Sequence, residues 1–169
     1  AGLPLITAGL TLWGLYTVEI LDEFGKVIDF VTAKNDVTNE GLNNILDVQF
    51  HAVTQVTTWY IGLIDASGFS DLADSDTLAS HAGWTEFTNY TGNRQEWTEG
   101  AAAGGVMTNS TTVDFAILGS GTIAGMFLAS VASGTAGKLW STALFAGGDV
   151  SVSASQTLKV TYTINAIRS

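Results

Sequence analysis

Short β-prone segments separated by glycine-containing turns recur through the second half of this chain, and no other feature restricts the fold as much. Regular short strands joined by glycine turns are typical of an antiparallel β-sandwich or barrel. The sequence therefore predicts a mainly β fold, an antiparallel β-sandwich or barrel. The segments are TTVDFAIL, TIAGMFLAS, KLWSTALF and TLKVTYTINAI, and shorter candidates lie in WTEFTNY and QEWTEG.

The first half of the chain predicts a β-hairpin and a central strand. Residues 13–21 alternate apolar and polar side chains, as a half-buried strand requires, and residues 26–32 predict the returning strand. Gly25 supplies the turn between them. Residues 57–64, TTWYIGLI, are apolar on both faces, which indicates a strand buried on both sides.

One segment changes to helical periodicity, and it predicts a single short α-helix around residues 39–50. Thr38 or Asn39 can cap its first turn, and Glu40 complements the helix dipole. A polar face opposite the apolar one places the helix over an edge or end of the sheet. The apolar positions are Leu42, Ile45, Leu46 and Phe50, and the polar positions are Asn43, Asn44 and Asp47.

The length of 169 residues and the hydrophobic content of 46% fit one domain, which we assign to residues 13–169. Residues 1–12 are apolar and either form an arm onto a neighbouring molecule or cover one end of the sandwich. The alanine at position 1 fits removal of an initiator methionine and synthesis in the cytoplasm. No apolar run approaches the roughly 20 residues needed to span a bilayer, so no membrane partner is expected.

The charge distribution argues against direct nucleic-acid binding. The net charge is −10, and such a field repels phosphate backbones. Residues 1–100 contain 14 acidic and 3 basic residues, whereas residues 101–169 contain 2 and 3. The absence of cysteine excludes disulfides, thiolate metal sites and cysteine nucleophiles.

The stretch SDLADSDTLASHAGWTEF, residues 70–87, gathers acidic residues and one histidine around a tryptophan. Its acids do not follow the spacing of a calcium-binding EF-hand loop. A solvated loop is the preferred interpretation, with Asp76 or Ser75 capping a short helical turn that Gly83 ends. No nucleophile, zinc or nucleotide motif is present, so we expect neither a cofactor nor an enzymatic activity.

Four of the five tryptophans divide into two groups. Trp59 and Trp140 lie in strand patterns and are expected in the core. Trp84 and Trp97 border loops, where they either anchor the loop by packing or stack on a carbohydrate or a neighbouring subunit.

The segments VTNEGLNNILDVQFHAVTQVTTWYIGLID, SDTLASHAGWTEFTNY and RQEWTEG, in this order, resemble a family of small structural proteins of tailed bacteriophages. The resemblance covers about residues 38–169, with its motifs at Asn39–Val48, Trp59–Leu63 and Asp76–Glu86. It implies a head decoration or cement protein of jelly-roll type without catalytic residues. It also implies that His81 and Trp84 anchor a long loop or form part of a subunit contact.

The resemblance therefore predicts a virion protein that binds the outside of the capsid lattice and stabilises the head. The expected partners are the major capsid protein and further copies of this chain, in dimers or trimers. The alternative is a carbohydrate- or receptor-binding module of a tail fibre, with Trp84 and Trp97 as stacking platforms. Candidate contact residues are Leu3, Pro4, Leu5, Ile6, His81, Trp84 and Trp97.

Overall fold

The computed structural model describes residues 9–168, which contain eleven β-strands and one α-helix. Every strand pair is antiparallel. The elements are β1 (Leu10–Leu21), β2 (Val27–Val37), α1 (Asn39–Phe50), β3 (Trp59–Asp65), β4 (Thr85–Phe87), β5 (Gln95–Trp97), β6 (Val106–Thr108), β7 (Val113–Ala116), β8 (Gly121–Ala129), β9 (Leu139–Leu144), β10 (Val150–Val152) and β11 (Thr157–Arg168).

The strands pair in the order β4-β3-β8-β9-β2-β1-β11-β6, with β5 beside β3, β10 beside β8 and β7 beside β11. Strand β2 joins the two layers: it pairs with β1 along Val27–Lys34 and with β9 along Asn35–Val37. The predicted mainly β class, the antiparallel sandwich and the single helix at 39–50 are confirmed. Through β2 the strands of the two layers form one continuous hydrogen-bonded sheet.

Two apolar clusters hold the sandwich together. The larger one lies between the layers, where Tyr16 and Val18 of β1 share a core with Leu63 of β3 and Met126 of β8. The smaller one covers the outer face of β3 and β8, and the loop between β3 and β4 contributes to it. Its buried members are Ile64, Leu78, Trp84, Ala124, Phe127, Ala129 and Leu139.

The predicted hairpin is confirmed, with Gly25 at a φ of +77° in its turn. Thr38 caps the helix, since its Oγ1 accepts a hydrogen bond from the Gly41 amide at 3.0 Å. Strand β1 begins at Leu10, so the last three residues assigned to the arm belong to the sandwich. The short strands β6 and β10 have no counterpart among the predicted segments.

Three of the four residues of the predicted apolar face of the helix are exposed and only Ile45 is half-buried, which corrects the sequence interpretation. Leu42, Leu46 and Phe50 are 44, 56 and 79% exposed, whereas Gly41 and Asn44 are buried. Polar contacts at the start of the helix set this orientation: Thr38 Oγ1 donates to the Leu139 carbonyl at 2.6 Å. The backbone of Gly41 lies so close to the Trp140 carbonyl that no side chain fits there. These contacts turn the apolar stripe to the outside.

Candidate interaction surfaces

The acid-rich loop packs over the outer face of the sheet and does not form a ligand site. Asp76 is 8% exposed, and its Oδ2 accepts hydrogen bonds from Trp84 Nε1 at 3.0 Å and from the Ala73 amide at 3.1 Å. The His81 ring stacks on Trp84 with 3.9 Å between ring centroids, and its Nδ1 lies 3.0 Å from the Trp84 carbonyl oxygen. Asp71 and Asp74 remain exposed. One aspartate therefore fixes the indole, and the other two face water.

The predicted helical turn in this loop is wrong. Residues 77–80 form a tight turn in which the Thr77 amide donates to the Ser80 carbonyl at 3.0 Å and the Ser80 amide donates back at 3.1 Å. Asp76 therefore anchors Trp84 instead of capping a helix. Within residues 9–168, no three His, Asp or Glu side chains lie close enough together to hold a metal ion.

Glu86, the last acid of the stretch, is held by Arg94. The guanidinium donates to both carboxylate oxygens at 3.0 and 2.8 Å, and it also donates to the carbonyls of Val131 and Gly134. Arg94 lies over the Phe127 ring at 5.2 Å from its centroid. These bonds tie the residues before β5 to the loop after β8.

Trp84 and Trp97 are both 2% exposed, so neither can stack on a sugar or a neighbouring subunit while the core is intact. Trp84 packs against Phe127 at 5.1 Å between centroids. Trp97 packs against Tyr162 at 5.1 Å, and its Nε1 donates to Asn109 Oδ1 at 2.7 Å. The structure thus places both indoles as packing anchors and corrects the contact interpretation of them. Half-buried His81 is the ring that shields Trp84.

Replacing Asp76 by alanine is expected to destabilise the protein by about 2 kcal/mol, because the buried Trp84 Nε1 and the part-buried Ala73 amide lose their acceptor. The free energy of unfolding from urea titration measures this cost. Asp74→Ala is the matched control, since Asp74 is exposed, and it should change stability by no more than about 0.5 kcal/mol. Equal effects of the two substitutions would contradict the anchoring role.

Large apolar side chains are exposed at the end of the β1–β2 hairpin, and we call these four residues the hairpin surface. Phe24 is 85% exposed, Val27 47%, Ile28 50% and Phe30 57%. Ile28 is the extra residue of a β-bulge between the pairs Ile20–Asp29 and Leu21–Val27, so the strand is irregular where these apolar residues lie. Among the described residues, β9 pairs with β2 only from Asn35 onward, so the outer edge of the strand at the hairpin surface is open.

The outward stripe of α1 forms a second apolar surface, which we call the helix surface. It comprises Leu42, Leu46 and Phe50, which lie four residues apart on one side of the helix. Val53, just after the helix, is 40% exposed and adds to it. Contiguous exposed apolar groups of this kind mark interaction sites in stable proteins.

The sequence interpretation did not identify the hairpin surface. A signal was present: FGKVIDF places apolar residues at both parities around the turn, which a strand with one wet face would avoid. Leu3, Pro4, Leu5 and Ile6, the other candidate contacts, lie outside the described residues.

Among protein-family models none matches this chain, and no curated protein matches it either. Residues 9–168 contain no helix that is long and apolar enough to cross a membrane.

Proposed function

We propose that this chain is a non-enzymatic structural protein of a tailed-phage virion that binds the outer face of the capsid lattice and stabilises the head. The hairpin surface is the observation that carries the proposal, together with the resemblance of the three ordered motifs to phage structural proteins. The proposed partner is the major capsid protein, and copies of the chain associate with one another on the lattice.

The hairpin surface has the composition of a docking element. Two exposed phenylalanines, Phe24 and Phe30, offer the large apolar anchors that dominate binding energy in protein interfaces. The open edge of β2 adds unpaired backbone groups, to which an extended strand of a partner can hydrogen-bond. A hairpin of this kind can therefore bind through both side chains and backbone.

The charged residues around the hairpin surface indicate which charge the partner surface carries. Glu19, Glu23 and Asp29 are exposed near the apolar residues, and Lys26 is the basic residue of the turn. Asp22 adds another carboxylate, although one of its oxygens already accepts the Phe24 and Lys26 amides. A complementary partner surface is apolar at its centre and basic at its rim.

Binding to the assembled lattice stabilises it by mass action. A protein that binds only the assembled state adds a free energy that grows with the ratio of its concentration to its Kd. Each copy that bridges neighbouring subunits repeats this contribution over the many equivalent sites of a shell. The acidic surface is compatible with a position outside the packaged DNA.

Adding the purified protein to emptied capsids of the phage that encodes it is expected to raise the temperature at which the shells disrupt. The double variant Phe24→Ser/Phe30→Ser should bind roughly 1,000-fold more weakly, since each of the two interface anchors contributes roughly 2 kcal/mol. Co-sedimentation measures binding, and light scattering during heating measures disruption.

Leu118→Ser is the matched control, because Leu118 is 62% exposed and belongs to neither apolar surface. Its capsid binding should equal that of the unmodified protein. Disruption temperatures that are equal with and without the protein would overturn the proposed function. Full binding by the double variant would be compatible with the proposed function, but it would exclude the hairpin surface as the capsid-binding site.

The alternative role in carbohydrate binding loses its physical basis at the two residues assigned to it. A sugar ring stacks on an exposed indole face, and the indoles of Trp84 and Trp97 are covered by the protein itself.

A further inference from the structure

An aromatic cleft lies at one end of the sandwich, and we call it the end cleft. It consists of two adjoining hollows of about 200 and 270 Å³, which share Gln55, Val56, Trp59 and Trp140. Strands of both layers line the first hollow, and α1 lines the second. The two shared indoles are half-buried, with 5.6 Å between their ring centroids. The cleft is therefore mostly apolar and offers two aromatic faces to an occupant.

Two buried N–H donors in the walls of the end cleft lack an acceptor among the described residues. They are Nδ2 of Asn44, a side chain that is 6% exposed, and Nε1 of Trp140. Water does not reach either atom, so solvent does not replace the missing bonds. An acceptor from a bound molecule recovers the free energy that an unpaired buried donor costs. The occupant that fits this cleft therefore carries oxygen acceptors, since a purely apolar one would leave both donors unpaired.

The charge beside the cleft favours neutral acceptors. Glu99 lines the first hollow and is exposed, and neither hollow is lined by a lysine or arginine of the described residues. A carboxylate in the cleft would be repelled by Glu99 and would find no cation to pair with. Amide carbonyls are uncharged and accept hydrogen bonds from N–H donors, so they meet both conditions.

Residues 54–57, which connect α1 to β3, form one rim of the end cleft. They belong to no helix or strand, and they make no backbone hydrogen bond to any residue that the structure describes. The rim can therefore shift and uncover the buried donors without breaking such a bond. Its own N–H and C=O groups are also open to pairing with an added strand.

An extended peptide supplies what both the cleft and its rim lack. It carries a carbonyl at every residue, pairs with an open segment as an added strand, and directs alternate side chains into a groove. We propose that the end cleft binds an extended apolar peptide segment of a partner protein. The peptide pairs with residues 54–57, packs apolar side chains against Trp59 and Trp140, and places a carbonyl on Asn44 Nδ2. This site goes beyond the proposed function and does not depend on the virion role.

Random octapeptides selected by ribosome display on the whole protein are the probe for this site. We expect enriched sequences with apolar residues at alternate positions, and calorimetric titration of the synthetic peptides measures their affinity. Asn44→Leu should weaken binding about 5–10-fold through the loss of one hydrogen bond. The same substitution should raise the melting temperature of the free protein by about 2–4 °C, because it removes an unpaired buried donor at nearly constant size.

Asn43→Leu is the matched control, because Asn43 is exposed on the same helix and lines neither hollow. Its affinity for the peptides should equal that of the parent. Amide hydrogen exchange gives an independent readout: residues 54–57 should exchange fast in the free protein and at least about 10-fold more slowly with saturating peptide.

Three results would overturn the proposal. The first is a selection that enriches no peptide, and the second is an equal effect of Asn44→Leu and Asn43→Leu on affinity. The third is slow exchange of residues 54–57 in the free protein, because the rim would then already be paired.

Discussion

Replacing Gly125 by alanine is expected to cost more than about 4 kcal/mol of unfolding free energy and to leave little folded protein. Gly125 lies in the middle of β8, where a Cβ would overlap the Ala143 carbonyl of the neighbouring strand β9. Backbone cannot yield as a flexible side chain can, so the two central strands must separate. The loss approaches the whole stability of a domain, which is typically about 5–15 kcal/mol.

Thermal unfolding and the yield of soluble protein measure this effect. Gly147→Ala is the matched control, since a Cβ there meets no atom within 4 Å and the backbone has no positive φ. Gly147→Ala should leave the free energy of unfolding unchanged or raise it by less than about 1 kcal/mol. A Gly125→Ala protein with an unchanged melting temperature would mean that β8 and β9 are further apart than the structure places them.

Raising the pH from 9 to 12 is expected to remove several kcal/mol of stability, because tyrosines in the core must stay neutral. Burial raises the pKa of Tyr162 to about 12, and burial together with the charge of Tyr162 raises the pKa of Tyr16 well above its usual value. Burial also raises the pKa of Tyr90, with Glu86 acting in the same direction.

The direction of this change in stability follows from the number of protons that the folded and unfolded states bind. Above a pH of about 10 the unfolded chain loses its tyrosine protons, while the folded protein retains those of Tyr16, Tyr90 and Tyr162. Stability contributed by the neutral phenols is complete below pH 10 and is lost as the pH rises towards 12. Three retained protons give a slope of about −4.1 kcal/mol per pH unit in that window. Urea titrations at each pH measure the slope.

Tyr16→Phe separates this effect from general alkaline damage. The Tyr16 hydroxyl has no hydrogen-bond partner among the described residues, so the substitution removes a titrating group without removing a bond. The Tyr16→Phe protein should be about as stable as the parent at pH 7. Above pH 10 its free energy of unfolding should fall less steeply with pH, because the folded protein retains one proton fewer. Identical slopes would contradict the buried neutral state of Tyr16. Tyr162 is unsuited to this test, because its hydroxyl accepts from Asn35 Nδ2 at 2.8 Å.

The sequence by itself determined the elements and their approximate limits. Alternation in residues 13–21 and 157–167 gave β1 and β11, and the helical spacing after Thr38 gave α1, because these patterns are local and each spans at least two periods. Gly25 marked the hairpin turn for the same reason, since a positive φ favours glycine wherever it occurs.

Only the tertiary structure decided which face of each element is covered. The helix turns Leu42 and Phe50 outward because Gly41 and Thr38 fit the backbone of β9, a contact 100 residues away in sequence that no local pattern encodes. The sequence does not distinguish Asp76 from a surface acid, because only the structure shows that its carboxylate accepts a hydrogen bond from Trp84 Nε1. Periodicity reveals how side chains are spaced along a segment. Burial depends on which distant segment approaches, and on which backbone and polar contacts that approach satisfies.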